Sequence, residues 1–289
     1  MNIICDTTFN DNVSFGQTIN REIKNLFING YTKQVTSSQK VALLNMVLSL
    51  QEKGLWDKID HLFLPCFAGT ESEITLDVKE SYGAASNVIY PCKSGFFALS
   101  SDGAQTTNTV ISTSLWDNTF KFPVIPTDFH AVVKMDNVDN SDHARFNIGN
   151  IKQDTWSNCG DIILSSSNQL YPGYGSDSGT IVNFNKAIFS TSIKQSGDTT
   201  TTYTEYNGDL VKSNIIESER YNSYVVGQEY PLYPFFGNPY GDSYGDPTGK
   251  IWSQAGITGI KLYGCGTYLT SEEVSDYSAI IDTFLSSLS

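Results

Sequence analysis

The sequence predicts a mainly β fold, an antiparallel two-sheet sandwich with helices before it and one helix closing it. Three observations carry that prediction: a hairpin signature in the middle of the chain, a hydrophobic period of two over much of its length, and turn clusters at sandwich-like intervals. The hairpin lies between Thr202 and Ser213. Asn207 and Gly208 would fill the two central positions of a type I′ turn, where both residues need positive φ, and they are flanked by Tyr203, Tyr206, Leu210 and Val211. An Ile-Phe-Ser-Thr-Ser-Ile run from Ile188 lies just upstream, which places the hairpin inside a larger antiparallel sheet. Composition agrees, since 16 Tyr, 16 Phe and 23 Gly in 289 residues suit pleated surfaces and tight turns. The lack of a repeated βαβ pattern excludes the doubly wound and TIM-barrel classes.

Residues 1–32 read as a separate arm. Phe9, Val13 and Phe15 are apolar positions among polar ones, and Ile19, Ile23, Leu26 and Phe27 then recur at helical spacing up to Gly30. Such an arm cannot bury its own apolar face. Either it packs on the domain that follows or it docks on a partner, and the second reading makes these side chains an attachment or assembly element.

Residues 33–68 read as a helical hairpin. Thr36 with Gln39 forms a capping box, and Val41, Leu44, Val47, Leu48 and Leu50 follow, predicting a helix over about 37–53. Trp56, Ile59 and Phe63 at helical spacing predict its partner, ended by Pro65. His61 reads as a packing or surface residue, because His130 and His143 supply no metal-ligand spacing with it.

Residues 69–289 read as the sandwich. Ile74, Leu76 and Val78 alternate with Thr75, Asp77 and Lys79, and Ala144, Phe146 and Ile148 alternate with Arg145, Asn147 and Gly149, so each run predicts a half-buried strand. Ser101-Asp102-Gly103, Ser176 to Gly179 and Ser196-Gly197-Asp198 punctuate the region. From about residue 270 a helix closes the chain: Thr270 and Glu273 make a capping box, and Leu269 with Val274 a hydrophobic staple.

Charge and cysteine usage bound the function. The net charge is -13 with no cluster of Lys or Arg, which argues against nucleic acid and against an anionic membrane surface. Cys5, Cys66, Cys92, Cys159 and Cys265 are scattered without zinc-site spacing, so the expectation is buried, reduced thiols. No apolar run approaches the roughly 20 residues of a membrane span, and the first residues lack the pattern of a signal peptide. A soluble protein made in a cytoplasm is expected.

Three elements together resemble the concanavalin A-like and laminin G-like structural proteins of tailed bacteriophages. These are the Tyr-Asn-Gly-Asp-Leu-Val hairpin from Tyr206, the Gly256 to Tyr263 strand leading into Leu-Thr-Ser-Glu-Glu, and the helical preface ending in Gly-Leu-Trp-Asp-Lys-Ile-Asp. The resemblance covers about residues 33–289 and departs from the pattern in the longer, partly apolar arm. It implies a jelly-roll sandwich and a virion appendage, decoration or head or tail fibre protein that is often carbohydrate-binding. It also implies a homo-oligomer, with a trimer the first expectation; attachment to other virion proteins through the arm is expected from the arm's own apolar side chains, Phe9 to Phe27.

Chemistry is less legible. The acid pair Glu71-Ser72-Glu73 reads as a solvated loop rather than the paired carboxylates of a glycosidase, so no catalytic residue is named and a non-enzymatic protein is expected. Aromatic and turn-forming residues mix at Tyr171 and Tyr174 and again through Asn238, Tyr240, Asp242 and Tyr244, which suggests rings held at loop positions for a sugar. The competing reading puts Phe235 and Phe236 in a core strand and uses the tyrosines to cover loops or a subunit contact. Asn238, Asp242 and Asp246 would also suit Ca²⁺ through oxygen ligands. The rival functional classes are a polysaccharide-degrading tail enzyme and a purely structural subunit without a ligand.

Overall fold

The computed structural model describes residues 16–92, 94–101, 103–107, 110–112, 120–138, 144–148, 162–164, 169–172, 180–181, 185–194, 200–206, 209–216, 226–235, 251–252 and 257–288. Helix α1 (Gly16–Asn25) runs into a π turn at Leu26–Gly30, and α2 spans Ser37–Glu52. The capping box of α2 forms as the sequence predicts: Gln39 N–H donates to Thr36 Oγ1 (3.2 Å) and Thr36 N–H to Gln39 Oε1 (2.9 Å).

The predicted second helix of a hairpin does not form. A single 3-10 turn at Trp56–Lys58 leads instead into strand β1 (Ile59–Phe63). Its Ile59, Leu62 and Phe63 are buried on both sides of a sheet, and a doubly covered strand carries the same near-continuous apolar run as a short buried helix. The strand expected over 74–78 is also corrected. Glu71–Thr75 is a 3-10 helix, β2 is only Leu76–Asp77, and α3 begins at Val78 and ends at Ser81. Asp77, expected on a solvated face, has no exposed surface.

The remaining strands follow in order. They are β3 (Val88–Ile89), β4 (Phe97–Ser100), β5 (Gly103–Thr106), β6 (Val110–Ser112), β7 (Phe122–Val124), β8 (Asp128–Lys134) and β9 (Asn137–Val138). Next come β10 (Ala144–Ile148), β11 (Ile162–Leu164), β12 (Gln169–Pro172), β13 (Thr180–Ile181), β14 (Ile188–Lys194), β15 (Thr200–Tyr206) and β16 (Asp209–Ile216). Last are β17 (Tyr230–Pro234), β18 (Ile251–Trp252), β19 (Ile257–Thr258) and β20 (Leu262–Gly266), before the closing helix α4 (Ser271–Ser286). An eight-stranded sheet runs β16-β15-β14-β8-β20-β1-β2-β3, and a six-stranded sheet runs β13-β12-β11-β10-β17-β7. Among the described residues every pairing within them is antiparallel, and the expected hairpin strands are there, with Tyr206 opposite Asp209 across β15 and β16. Asn207 and Gly208 themselves lie outside the described residues.

Strand alternation divides the interior into two cores. From the eight-stranded sheet Phe63, Phe129, Ala131, Val133, Ile188, Tyr263 and Cys265 point to one side, where they meet Phe122, Val124 and Leu232 of the six-stranded sheet. Ile59, Leu62, Val132, Phe189 and Leu262 point to the other, against Leu43, Val47 and Leu50 of α2 and Val274, Tyr277, Ile281 and Phe284 of α4. The large sheet is therefore covered by a sheet on one face and by helices on the other.

The arm is divided too. Ile23 and Leu26 are almost fully buried within the helix-side core, and Phe27 packs edge-on to Phe67 at 5.1 Å. These three side chains are taken up by the chain's own interior, because the apolar stripe of α1 and its π turn lies on the same surface that α2 and α4 cover. Ile19 lies on α1, while Phe9, Val13 and Phe15 fall outside the described residues.

Two glycines show where the closing strands are constrained. The single strand expected from Gly256 to Tyr263 is broken between β19 and β20 by Gly259, at φ 62°. At the end of β20, a Cβ on Gly266 would lie 2.0 Å from the Lys58 carbonyl oxygen and 2.9 Å from the Asp60 nitrogen, at the irregularity where β1 changes register. Backbone atoms cannot swing aside, so Gly266→Ala is expected to lower stability by about 1–3 kcal/mol, as overpacking does. Urea unfolding of the two proteins side by side measures it.

Candidate functional site

The polar side chains that come together inside this frame sit at the edge of the large sheet. β1 carries His61, which faces the core between the sheets, its ring 4.6 Å from that of Phe122 and 5.7 Å edge-on to Tyr90. Asp77 caps α3: its Oδ1 accepts from Lys79 N–H (2.9 Å), Glu80 N–H (3.2 Å) and Leu62 N–H of β1 (3.2 Å). Its Oδ2 lies 2.7 Å from His61 Nδ1. Glu80, one turn along, places Oε1 3.8 Å from the same nitrogen, and the Tyr90 hydroxyl is 3.5 Å from it. Burial pulls the His61 imidazole down, but the hydrogen bond to Asp77 and the charges of Asp77, Glu80 and Asp60 outweigh it and hold the group above its ordinary value. The Tyr90 phenol is pushed up by burial and by the neighbouring Glu80 and Asp77.

Tyr90 also lines a groove of ≈ 540 Å³, together with Thr70, Glu71, Ser72, Ile89, Cys92 and Phe97. Edge contacts from His61, Phe63, Phe120 and Phe122 fix its ring. Glu71, Ser72 and Thr70 are exposed, and the Thr70 and Ser72 hydroxyls are 3.1 Å apart. The arrangement combines a fixed aromatic ring, surface hydroxyls and one carboxylate.

Glu73, read as solvated with Glu71, is instead only 3% exposed. Its Oε2 accepts from Gly69 N–H (2.7 Å) and Thr32 N–H (3.1 Å), tying two loops together. Burial raises its carboxyl, yet those donors outweigh burial and leave it below the usual carboxylate range. Of the residues singled out for a sugar, Tyr171 lies on β12 opposite Ile163 of β11. Tyr174, Asn238, Tyr240, Asp242 and Tyr244 lie outside the described residues, as do Asp246 and Phe236. Phe235 is fully buried just past β17, its ring 5.0 Å from Tyr263, so it belongs to the core.

Two further patterns in the sequence also fall outside. Glu217-Ser218-Glu219 repeats the alternating acid spacing just after β16. Gly241-Asp242-Ser243-Tyr244-Gly245 has the letters of a nucleophile elbow, but Pro239 before it and Asp246-Pro247 after it do not read as the strand and helix that an elbow joins. The legible signal for the site that the fold does assemble is Asp77 followed three residues later by Glu80, a helix-start pattern. Cys66, Cys92 and Cys265 form no disulfide among the described residues, and Cys66 and Cys265 are buried.

No family model and no curated protein matches the chain. Among solved structures it is similar to a Trypanosoma rangeli sialidase in complex with 2,3-difluorosialic acid, a covalent intermediate, with a TM-score of 0.38 and 12% identity. That likeness covers 83% of this chain and 39% of the sialidase chain, so the protein spans well under half the length of this neighbour.

His130 gives the acid response a definite sign. It is fully buried on β8, its Nδ1 2.5 Å from the Thr267 carbonyl oxygen and its ring edge-on to Tyr277. Burial pushes the imidazole down to about 4, against the pull of the Thr267 hydrogen bond. The unfolded chain, with an ordinary histidine near 6.5, takes up the proton first, so stability falls as pH drops from about 6.5 to about 4 and levels off below. The loss from this residue is about 3 kcal/mol. His130→Gln should flatten that part of the profile in urea titrations at pH 7, 5.5 and 4; an unchanged slope would assign it to other groups.

Proposed function

We propose that the chain is a non-enzymatic structural protein of a tailed-bacteriophage particle, a head or tail appendage, fibre or decoration protein, that binds host-surface carbohydrate. The observation that carries the carbohydrate reading is the groove beside Tyr90. Sugars offer C–H faces to a fixed ring and hydroxyls to groups such as Ser72, Thr70 and Glu71, and the groove's volume falls within the roughly 300–1,000 Å³ of small-molecule sites. In the fold that goes with this reading, the two sheets form a concanavalin A-like jelly roll, as the hairpin, closing strand and capped helix suggest. Phe9, Val13 and Phe15 attach it to other virion proteins or to sister subunits, and the assembly is a homotrimer.

The arrangement of carboxylates supports a binding rather than a cleaving role. Asp77 Oδ1 is committed to three backbone N–H groups and Oδ2 to His61, and one oxygen of Glu73 accepts from Gly69 and Thr32, so both carboxylates act as structural acceptors. One observation favours the rival polysaccharide-degrading enzyme: ligand oxygens of Asp77 and Glu80 lie within 4.8 Å of one another, close to the spacing of retaining glycosidases.

A glycan array followed by incubation with host capsular polysaccharide separates these readings. The expected outcome is binding without new reducing ends, weakened about tenfold, or ~1.4 kcal/mol, by Glu71→Ala with Ser72→Ala. Sustained cleavage would establish the enzyme, and a blank array would leave a purely structural subunit.

The arm's two halves should respond differently to truncation. Removing residues 1–15 is expected to leave thermal unfolding unchanged and to abolish oligomer formation or incorporation into particles. Removing residues 1–30 also strips Ile23 and Leu26 from the core, each worth roughly 1.5–3 kcal/mol of burial, and should lower the melting temperature by calorimetry. Equal melting of the two truncations would show that the helix-side core does not depend on α1.

A further inference from the structure

We propose that His61, Asp77 and Glu80 form a binding site for one divalent transition-metal ion of the zinc class, a role independent of any carbohydrate bound in the groove. Three different elements supply the donors: β1 the imidazole Nδ1, the residue before α3 one carboxylate oxygen, and α3 the other. These atoms all lie within 4.8 Å of one another. Around a tetrahedral ion with bonds of roughly 2.0–2.2 Å, neighbouring donors stand about 3.3–3.6 Å apart. The present separations of 2.7 Å from His61 Nδ1 to Asp77 Oδ2 and 3.8 Å to Glu80 Oε1 bracket that range. Seating the ion widens the first gap and narrows the second by roughly half an ångström, and the Glu80 oxygen, within 4.8 Å of the Asp77 oxygen, must also draw towards it, a movement that the partly exposed Glu80 side chain makes by rotation.

The surroundings are built as a metal site's are. Asp77 Oδ1 is held by three backbone N–H groups, which fixes the carboxylate plane and presents Oδ2 inward. Phe122 and Phe63 pack against the His61 ring and set its orientation. Asp60 adds negative charge nearby. The neighbouring cation, Lys79, is directed at Trp56, donating to its carbonyl oxygen at 2.6 Å and lying 4.5 Å over its ring. Access follows from burial: His61 and Asp77 are enclosed, while the Glu80 side chain is 38% exposed and forms the entrance. One nitrogen and two carboxylate oxygens suit zinc or a neighbouring first-row ion, whereas calcium and magnesium prefer all-oxygen shells.

The test uses the full chain, stripped with a chelator and dialysed. Titration with Zn²⁺ is followed by calorimetry and by thermal unfolding, with Mg²⁺ in parallel, and Co²⁺ serves as a spectroscopic probe. The expected result is one Zn²⁺ per chain, a rise of several degrees in Tm, no effect of Mg²⁺ at equal concentration, and Co²⁺ d–d bands without a thiolate charge-transfer band. Glu80→Gln, at the exposed entrance, should keep the metal-free Tm and weaken Zn²⁺ by about tenfold or more. Any of three results would overturn the proposal: no Zn²⁺ retained above a bovine serum albumin-free buffer blank, a thiolate band assigning the ion to cysteine, or unchanged affinity in Glu80→Gln. The Co²⁺ spectrum decides on the unsubstituted protein even where the variant fails to fold.

Discussion

A carboxylate without exposed surface, Asp77, ties together the parts of this protein that adjoin its candidate site. It joins β1 through Leu62 N–H, starts α3 through the N–H groups of Lys79 and Glu80, and holds the His61 ring from its other oxygen. A buried charge left without partners costs several kcal/mol, so the segment from β2 to α3 has one favourable position, folded back onto β1. That position brings Glu80 to His61 and sets Tyr90, just past β3, between the polar cluster and the groove.

β1 itself lies inside the large sheet, flanked by β20 and β2, and is covered on both faces. Such a strand cannot show the alternation of a half-solvated one, since each face must be apolar or paired. His61 satisfies this on the sheet-facing side by pairing with Asp77, and Leu62 satisfies it on the helix-facing side by packing beneath α2 and α4. The register irregularity between Ile59 and His61, opposite Gly266, moves Ile59 to the helix side along with Leu62. The arm follows the same logic. Once α2 and α4 cover the sheet, the surface beside them is apolar, and Ile23 and Leu26 complete it.

The groove and the polar cluster share Tyr90 but differ in character. The cluster is charged and largely enclosed, with Glu80 at its open side, which suits an ion that replaces a proton. The groove is open, with a mainly apolar wall that includes Ile89, Tyr90 and Phe97 and with Thr70, Glu71 and Ser72 as its polar groups, which suits a neutral ligand with an apolar face. The ring of Tyr90 is held by aromatic neighbours that are themselves core residues, so the shape of the groove wall is inherited from the packing between the two sheets.

Local chemistry was readable wherever it closes on itself over a few residues. Thr36 with Gln39 and Thr270 with Glu273 name two helix starts, and both capping boxes form, because each partner lies three residues away and depends on no distant segment. The β15 and β16 hairpin strands and the antiparallel, mainly β class were legible for the same reason: period and turn chemistry are properties of neighbouring residues. Tertiary structure decided what depends on coverage. The run from Ile59 to Phe63 has helical spacing and becomes a strand because two cores enclose it; Glu73 and Asp77 look solvated and are buried because backbone N–H groups of Thr32, Gly69 and Leu62 arrive to receive them. The meeting of His61 with Asp77 and Glu80 joins residues sixteen and more positions apart in a short irregular stretch, and no sequence period records such a return. A carboxylate's environment is set by which donors reach it, and only the folded chain determines that.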